Sequence, residues 1–317
     1  MVPRHAVRGV FTVLERLVTA LLYPVCRLLV RPGRGGRVPI LMYHQIGRPL
    51  PGPGPGGGAV SPERFALQMR VLSAAGYEVI SLGELVRRLE ERTLRSRTKR
   101  AVVTFDDGLR GQMAGACPVL ERHGFPATFF LIAGALGTDR LLPHLAAAAG
   151  GGVTMPDEWL QLSWEEARQL RDRAFEIGSH SMSHRSLGRL EPADIEREAR
   201  GSREVLERRL GVPVELFAYP FGSRAYGDFG PGTAGLLRRA GYRGACTTVV
   251  GTNGRGADLL ALKRIPVEQG DGPFRLRCKL AGAYDWVGPV KSLWQRLVTR
   301  EEQVDAPAPW RAAGGPA

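Results

Sequence analysis

The chain has 317 residues, 44% of them hydrophobic, and 44 Lys and Arg against 31 Asp and Glu leave a formal net charge of +13. That length buries a large core, as one α/β barrel or two smaller domains. The basic excess favours anionic partners such as phospholipid headgroups or acidic polymers. No aromatic-interleaved basic motif or zinc-finger spacing is present, which argues against nucleic acid.

Residues 1–37 hold seven arginines against the single Glu15, so a region of 37 residues carries six of the thirteen excess charges. Within it, VFTVLERLVTALLYPVCRLLV (Val10–Val30) is long enough to span a bilayer, but Glu15, Arg16, Pro24 and Arg27 interrupt it. No small-residue cleavage site follows, which argues against a signal peptide. The pattern fits an amphipathic helix lying in a membrane interface, or else a helix packed on the protein's own body. RPGRGGR (Arg31–Arg37) then reads as a linker. The cysteines, Cys26, Cys117, Cys246 and Cys278, are far apart and read as free thiols.

From residue 38 the chain alternates strand-like and helix-like segments. Strands are expected at 38–44, 77–82, 101–106, 127–133, 175–180, 216–220, 242–249 and 262–267. Amphipathic helices are expected at 62–75, 82–91, 112–123, 163–173, 191–210 and 233–240, with Ser163 and Glu166 at capping-box positions. This alternation points to a parallel sheet, open or closed into a barrel. PLPGPGPGGG (49–58) reads as a surface loop, 138–157 as an insertion, and the Pro/Ala/Gly-rich residues after Arg300 as a disordered tail.

Three strand ends carry chemistry. AVVTFDDG (Ala101–Gly108) ends on adjacent aspartates. Asp-Gly between strands would be a hairpin turn, but here a helical pattern follows, so Asp106 and Asp107 fall at the carboxyl end of a parallel strand, the catalytic face of α/β barrels. GSHSMSH (Gly178–His184) places His180 and His184 four apart, a spacing at which one helical turn would bring both imidazoles to one side. Two histidines and a carboxylate form a catalytic metal set; two histidines alone could equally bond loop backbone. FAYPFG (Phe217–Gly222) combines a proline with a glycine, which could aim the Phe221 amide into a cleft or could make an ordinary turn.

In this order, TFDDG (Thr104–Gly108), HSMSH (His180–His184) and AYPFG (Ala218–Gly222) resemble the first three motifs of the polysaccharide deacetylase family with the NodB-type domain, carbohydrate esterase family 4. The resemblance covers roughly residues 38–270. It implies a distorted (β/α) barrel of about seven parallel strands and one divalent metal, most often zinc. It further implies Asp106 as general base, Asp107, His180 and His184 as metal ligands, and the Phe221 amide as oxyanion donor. Tyr219, Pro220 and Gly222 are expected at the substrate. The expected organisation is an N-terminal basic and apolar helix with linker (1–36), the deacetylase domain (37–290), and a C-terminal helix with the tail (291–317).

Two departures from the family pattern stand out. The third motif's leading arginine, which orients the base, is replaced by Ala218, and the late Leu-x-His motif reads Leu262-Lys263-Arg264. The missing acid is expected from His44, because LMYH (Leu41–His44) resembles the N-terminal strand of the subgroup that includes poly-N-acetylglucosamine deacetylases. Arg264 could orient Asp106 or form a structural salt bridge. The expected function is metal-dependent removal of an N-acetyl group from an amino sugar in an exopolysaccharide or lipid-linked saccharide, at a membrane. An O-deacetylase or deformylase of a membrane-carried sugar, or a non-catalytic carbohydrate-binding protein, are the alternatives.

Overall fold

A computed structural model describes residues 17–24, 36–50, 58–94, 98–138, 142, 145–146 and 156–290. Among the described residues eight strands follow one another: β1 (Ile40–Tyr43), β2 (Tyr77–Val79), β3 (Lys99–Phe105), β4 (Thr128–Leu131), β5 (Glu176–Ser179), β6 (Leu216–Ala218), β7 (Gly244–Val250) and β8 (Leu262–Pro266). All eight expected strands are present. Every ladder pairing is parallel, in the order β1-β8-β7-β6-β5-β4-β3-β2, and β1 also pairs β3. The β1–β3 ladder closes seven strands into a barrel and leaves β2 attached to β3 alone.

Among the described residues, seven helices lie between strands, α1 (Pro62–Ala74), α2 (Leu82–Glu90), α3 (Arg110–Gly115), α4 (Cys117–His123), α5 (Trp164–Asp172), α6 (Pro192–Leu210) and α7 (Pro231–Arg239), and α8 (Pro273–Leu280) follows β8. The capping box expected at Ser163 and Glu166 starts α5. The helix expected at 112–123 is broken at Ala116, because Pro118 has no N–H to continue the ladder and opens α4 instead. Helix α8 was not foreseen. The C-terminal helix expected beyond residue 290, and most of the 138–157 insertion, lie outside the described residues.

The strand period of two sorts side chains into two cores. Ile40, Val102, Phe130, Leu216, Ala218, Cys246 and Leu262 come from six different strands yet pack together, which only the barrel interior permits. Leu82, Leu85 and Val86 of α2 join them and plug the amino end of the barrel. The alternate residues, among them Leu41, Tyr43, Val103, Phe105, Phe129, Phe217 and Ile265, face outward and pack under the helices. The carboxyl end stays polar, since Asp106, His180 and Arg264 are buried there in place of apolar side chains.

The described part of the N-terminal segment, 17–24, is helical and lies against the body. The Trp286 indole Nε1 donates to Thr19 Oγ1 at 3.3 Å, and the Tyr23 ring meets Phe274 of α8 edge-on at 5.5 Å. Among the described residues no helix is long and apolar enough to cross a membrane. Cys117, Cys246 and Cys278 are buried free thiols, and Cys26 lies outside the described residues.

Candidate active site at the carboxyl end of the barrel

Asp106 is the first residue past β3 and continues the inward phase of Val102 and Thr104. Its backbone N–H donates to Tyr43 O at 3.0 Å, joining the ends of β3 and β1. Arg264 is inward with Leu262 on β8 and reaches across the lumen to it. Its Nη1 and Nη2 donate to Asp106 Oδ1 and Oδ2 at 2.6 and 2.7 Å, while Nε donates to Thr247 O at 2.9 Å. Both side chains are buried. Burial alone would push the Asp106 carboxyl up, but the Arg264 guanidinium outweighs it, and the carboxyl is held well below the ordinary carboxylate range. Of the two roles open for Arg264, the fork places it directly on the base expected from sequence.

Asp107 turns the other way because its backbone is left-handed, with φ of 75°. Its Oδ1 lies 3.5 Å from His180 Nε2 and 3.4 Å from His184 Nε2. His180 Nδ1 is bonded to Ala218 O at 2.8 Å, which leaves Nε2 to present a lone pair when the ring is neutral. These three side chains form a compact group of metal-ligand type, all ligand atoms within 4.8 Å of one another. Ligands bound at 2.0–2.1 Å around a tetrahedral ion stand about 3.3 Å apart, so the donor set and its spacing fit a divalent ion such as zinc.

The two histidines do not share a helical turn, contrary to the sequence expectation. His180 follows β5, and residues 181–184 form a bend in which Ser181 and His184 are left-handed, with φ of 67° and 56°. Glu198 of α6 secures the bend by accepting from the Met182 and Ser183 backbone N–H groups at 3.0 and 2.9 Å, and from the Ser183 hydroxyl. Of six non-glycine residues with positive φ among the described residues, four are Asp107, Ser181, His184 and Phe221. Such conformations cost roughly 1–3 kcal/mol each and concentrate where a site demands a particular direction.

His44 follows β1 and places its Nε2 4.0 Å from Asp106 Oδ2, with 38% of the side chain exposed at the rim. Gln112, at the start of α3, was missed by sequence reasoning. Its buried Nε2 donates to both His44 O at 2.7 Å and Asp106 O at 2.5 Å, clamping the ends of β1 and β3. The available signal was a lone amide in the first turn after the aspartates, with nothing to say where it points.

The 218–222 segment needs correction. Tyr219 continues the outward phase of Phe217, so its ring is fully buried under the helices and its hydroxyl donates to Leu260 O at 2.8 Å. It is a core residue, not one that meets substrate. Pro220 and Gly222 are buried as well. Gly222 is needed for backbone approach, because a Cβ there would come within 2.7 Å of Thr248 N. Phe221 takes φ of 59°, and its ring, 42% exposed, lies 5.0 Å from that of His184.

Residues 94–245 match the family model described as Polysaccharide deacetylase. The Bacillus subtilis (strain 168) protein YxkH, whose name assigns it to the polysaccharide deacetylases, is 25% identical over 243 residues, 76% of this chain and 75% of that one. Among solved structures, the deacetylase PplD of Streptococcus pyogenes superposes with a TM-score of 0.62 at 23% identity, covering 78% of this chain and 99% of PplD. IcaB from Ammonifex degensii superposes with a TM-score of 0.61 at 22% identity, covering 78% and 98%.

Proposed function

The chain belongs to the polysaccharide deacetylase family, hydrolases of N-acetyl amide bonds, and from that premise we propose a substrate and a mechanism. The substrate is an N-acetylated amino sugar within an exopolysaccharide or a lipid-linked saccharide, and hydrolysis depends on one divalent metal, zinc. The observation that carries this reading is a buried carboxylate kept ionised by a bidentate arginine, immediately beside an Asp-His-His ligand group.

Asp107, His180 and His184 would hold the ion. When bound, it supplies Lewis-acid polarisation of the acetyl carbonyl and of the attacking water. Asp106 takes a proton from that water as its oxygen attacks the carbonyl carbon. Arg264 fixes the carboxylate plane and keeps the base ionised, the task of the arginine absent at Ala218. The Phe221 amide donates to the oxygen that gains charge. His44 then gives a proton to the sugar nitrogen as the C–N bond breaks, so acetate and a free amine leave. An imidazole suits this donor role, which the always-charged Arg264 at the family's usual acid position does not.

The same reading sets the enzyme at a membrane surface. Support comes from helix 17–24, which turns Thr19 onto Trp286 while Leu17 and Leu21, one helical turn apart, are 59% and 76% exposed. Phe274 of α8, which meets Tyr23 of helix 17–24, is a further exposed apolar side chain, 57% exposed.

Acetate release from N-acetylglucosamine oligomers, measured before chelation, after it and after zinc is returned, tests the proposal. Activity should fall with the metal and return with it, and His180→Ala or His184→Ala should abolish both together. Hydrolysis that survives complete metal removal would refute the mechanism. Tight zinc with no acetate from any oligomer would favour a carbohydrate-binding protein.

A further inference from the structure

Strand β7 is irregular where it meets the site. It advances from Cys246 to Val250 while β8 advances only from Leu262 to Arg264, so Thr247, Thr248 and Val249 leave the regular ladder. Bulges beside active sites re-aim groups that a regular strand would turn elsewhere. Here the two threonines serve different partners. The Thr247 carbonyl accepts from Arg264 Nε at 2.9 Å, and its hydroxyl donates to Leu262 O at 3.0 Å. Thr248, half-buried, turns instead to residues 221 and 222. Its hydroxyl reaches Phe221 O at 2.7 Å and Gly222 O at 3.0 Å, and its backbone N–H donates to Gly222 O at 3.1 Å.

The segment that Thr248 holds is strained. Gly222 N–H donates to Pro220 O at 2.7 Å across a single residue, Phe221, whose φ is 59°. A three-residue turn with positive φ at its centre is the rare, unfavourable form. It has a chemical consequence. The Pro220 carbonyl is drawn into the turn, and in a trans peptide the N–H lies on the opposite side of the bond, so the Phe221 N–H is directed out of the turn. Relaxing Phe221 to an ordinary φ would rotate the turn and move the ring that packs on His184 at 5.0 Å. Such strain persists only where the surroundings over-determine it. A valine at 248 would suit a strand as well as threonine does, so what the hydroxyl adds is its hold on the two carbonyls. Water could satisfy those carbonyls but could not fix their direction.

Resting on the deacetylase reading above, we infer that Thr248 is a positioning residue for the oxyanion donor. Its hydroxyl locks the strained turn, so the Phe221 amide is already aimed when charge develops on the acetyl oxygen. The bulge in β7 thereby steadies the base's arginine through Thr247 and the oxyanion donor through Thr248. A preset donor favours the tetrahedral state over the planar acetamide that enters, which places the effect of Thr248 in kcat.

Thr248→Val removes the hydroxyl and keeps the shape. Its kcat for acetate release from N-acetylglucosamine oligomers should fall about 10- to 100-fold with KM within about twofold of wild type, a smaller loss than deleting a donor outright. Inhibition by a glucosamine oligomer bearing a methylphosphonamide in place of the acetamide, a tetrahedral mimic, should weaken by a similar factor, with the melting temperature close to that of wild type. Thr248→Ala should match Thr248→Val, and Thr248→Ser, which keeps the hydroxyl, should restore both kcat and inhibition. Wild-type kcat in the valine and alanine variants, a loss confined to KM, or a serine variant as slow as the valine one would overturn the role of Thr248 and leave hydrolysis standing. A wild type that releases no acetate would instead overturn the deacetylase reading, and the positioning role with it.

Discussion

Replacing Arg264 with methionine separates its effect on fold from its effect on the base. The substitution removes two charge-assisted hydrogen bonds, of 2.6 and 2.7 Å, and leaves the Asp106 carboxylate alone in a buried lumen. Breaking a buried ion pair from one side costs about 3–5 kcal/mol, and without the guanidinium burial, the largest single influence on the Asp106 carboxyl, acts unopposed by it and pushes the carboxyl up. The sign follows from linkage. In the wild type the carboxyl is held below its unfolded value. It therefore contributes stability that is present above the ordinary carboxylate range and lost as pH falls through the depressed folded value. With Arg264 gone, burial dominates and the carboxyl rises above the unfolded value. Arg264→Met should then be most stable in acid and lose stability as pH climbs toward neutrality. Denaturant melts from pH 4 to 8 read this inversion, and the acidic limb of kcat/KM on loaded enzyme should move up with it. Arg264→Met combined with Asp106→Asn should recover much of the stability, because no lone charge remains. An unmoved acidic limb together with an unchanged pH–stability curve would refute the reasoning.

His44→Ala should slow amide hydrolysis about 100-fold more than hydrolysis of an activated ester, whose leaving group needs no proton. Equal slowing in stopped assays of the two substrates would remove His44 from proton transfer. Gln112→Met keeps the volume but loses the clamp on the His44 and Asp106 carbonyls, so kcat should drop about 10- to 100-fold with zinc content unchanged. A wild-type kcat would make the clamp irrelevant to turnover. Leu17→Glu with Leu21→Glu should weaken sedimentation with phosphatidylserine vesicles by about 100-fold or more, since two leucine side chains leave the interface. Unchanged vesicle binding would show that helix 17–24 is only a packing element.

Much of the barrel is legible in the sequence because its strands are short apolar runs ending in turn or polar residues, and all eight are found where those runs lie. The motif residues are legible because they sit on strand ends, where a parallel barrel gathers side chains from distant segments. Misplacement came where a local period was read alone. The four-residue spacing of His180 and His184 suggests a helical turn, yet a bend tied to Glu198 brings them together. Tyr219 lies within a motif but out of phase with the lumen, and alternation from Ala218 would have turned it toward the helices. Arg264 and Asp106 are 158 residues apart, and nothing local in either segment fixes their distance. Gln112 acts through carbonyls of two other strand ends, a contact that only the closed barrel creates.

Asp106→Asn tests the central claim most directly, because it changes one atom of the proposed base and leaves the Asp107, His180 and His184 ligands in place. Zinc content and acetate release from N-acetylglucosamine oligomers would be measured on the same preparation. The account predicts stoichiometric zinc with hydrolysis slowed roughly 100- to 10,000-fold. Acetate release at the wild-type rate, or loss of zinc from the variant, would contradict it.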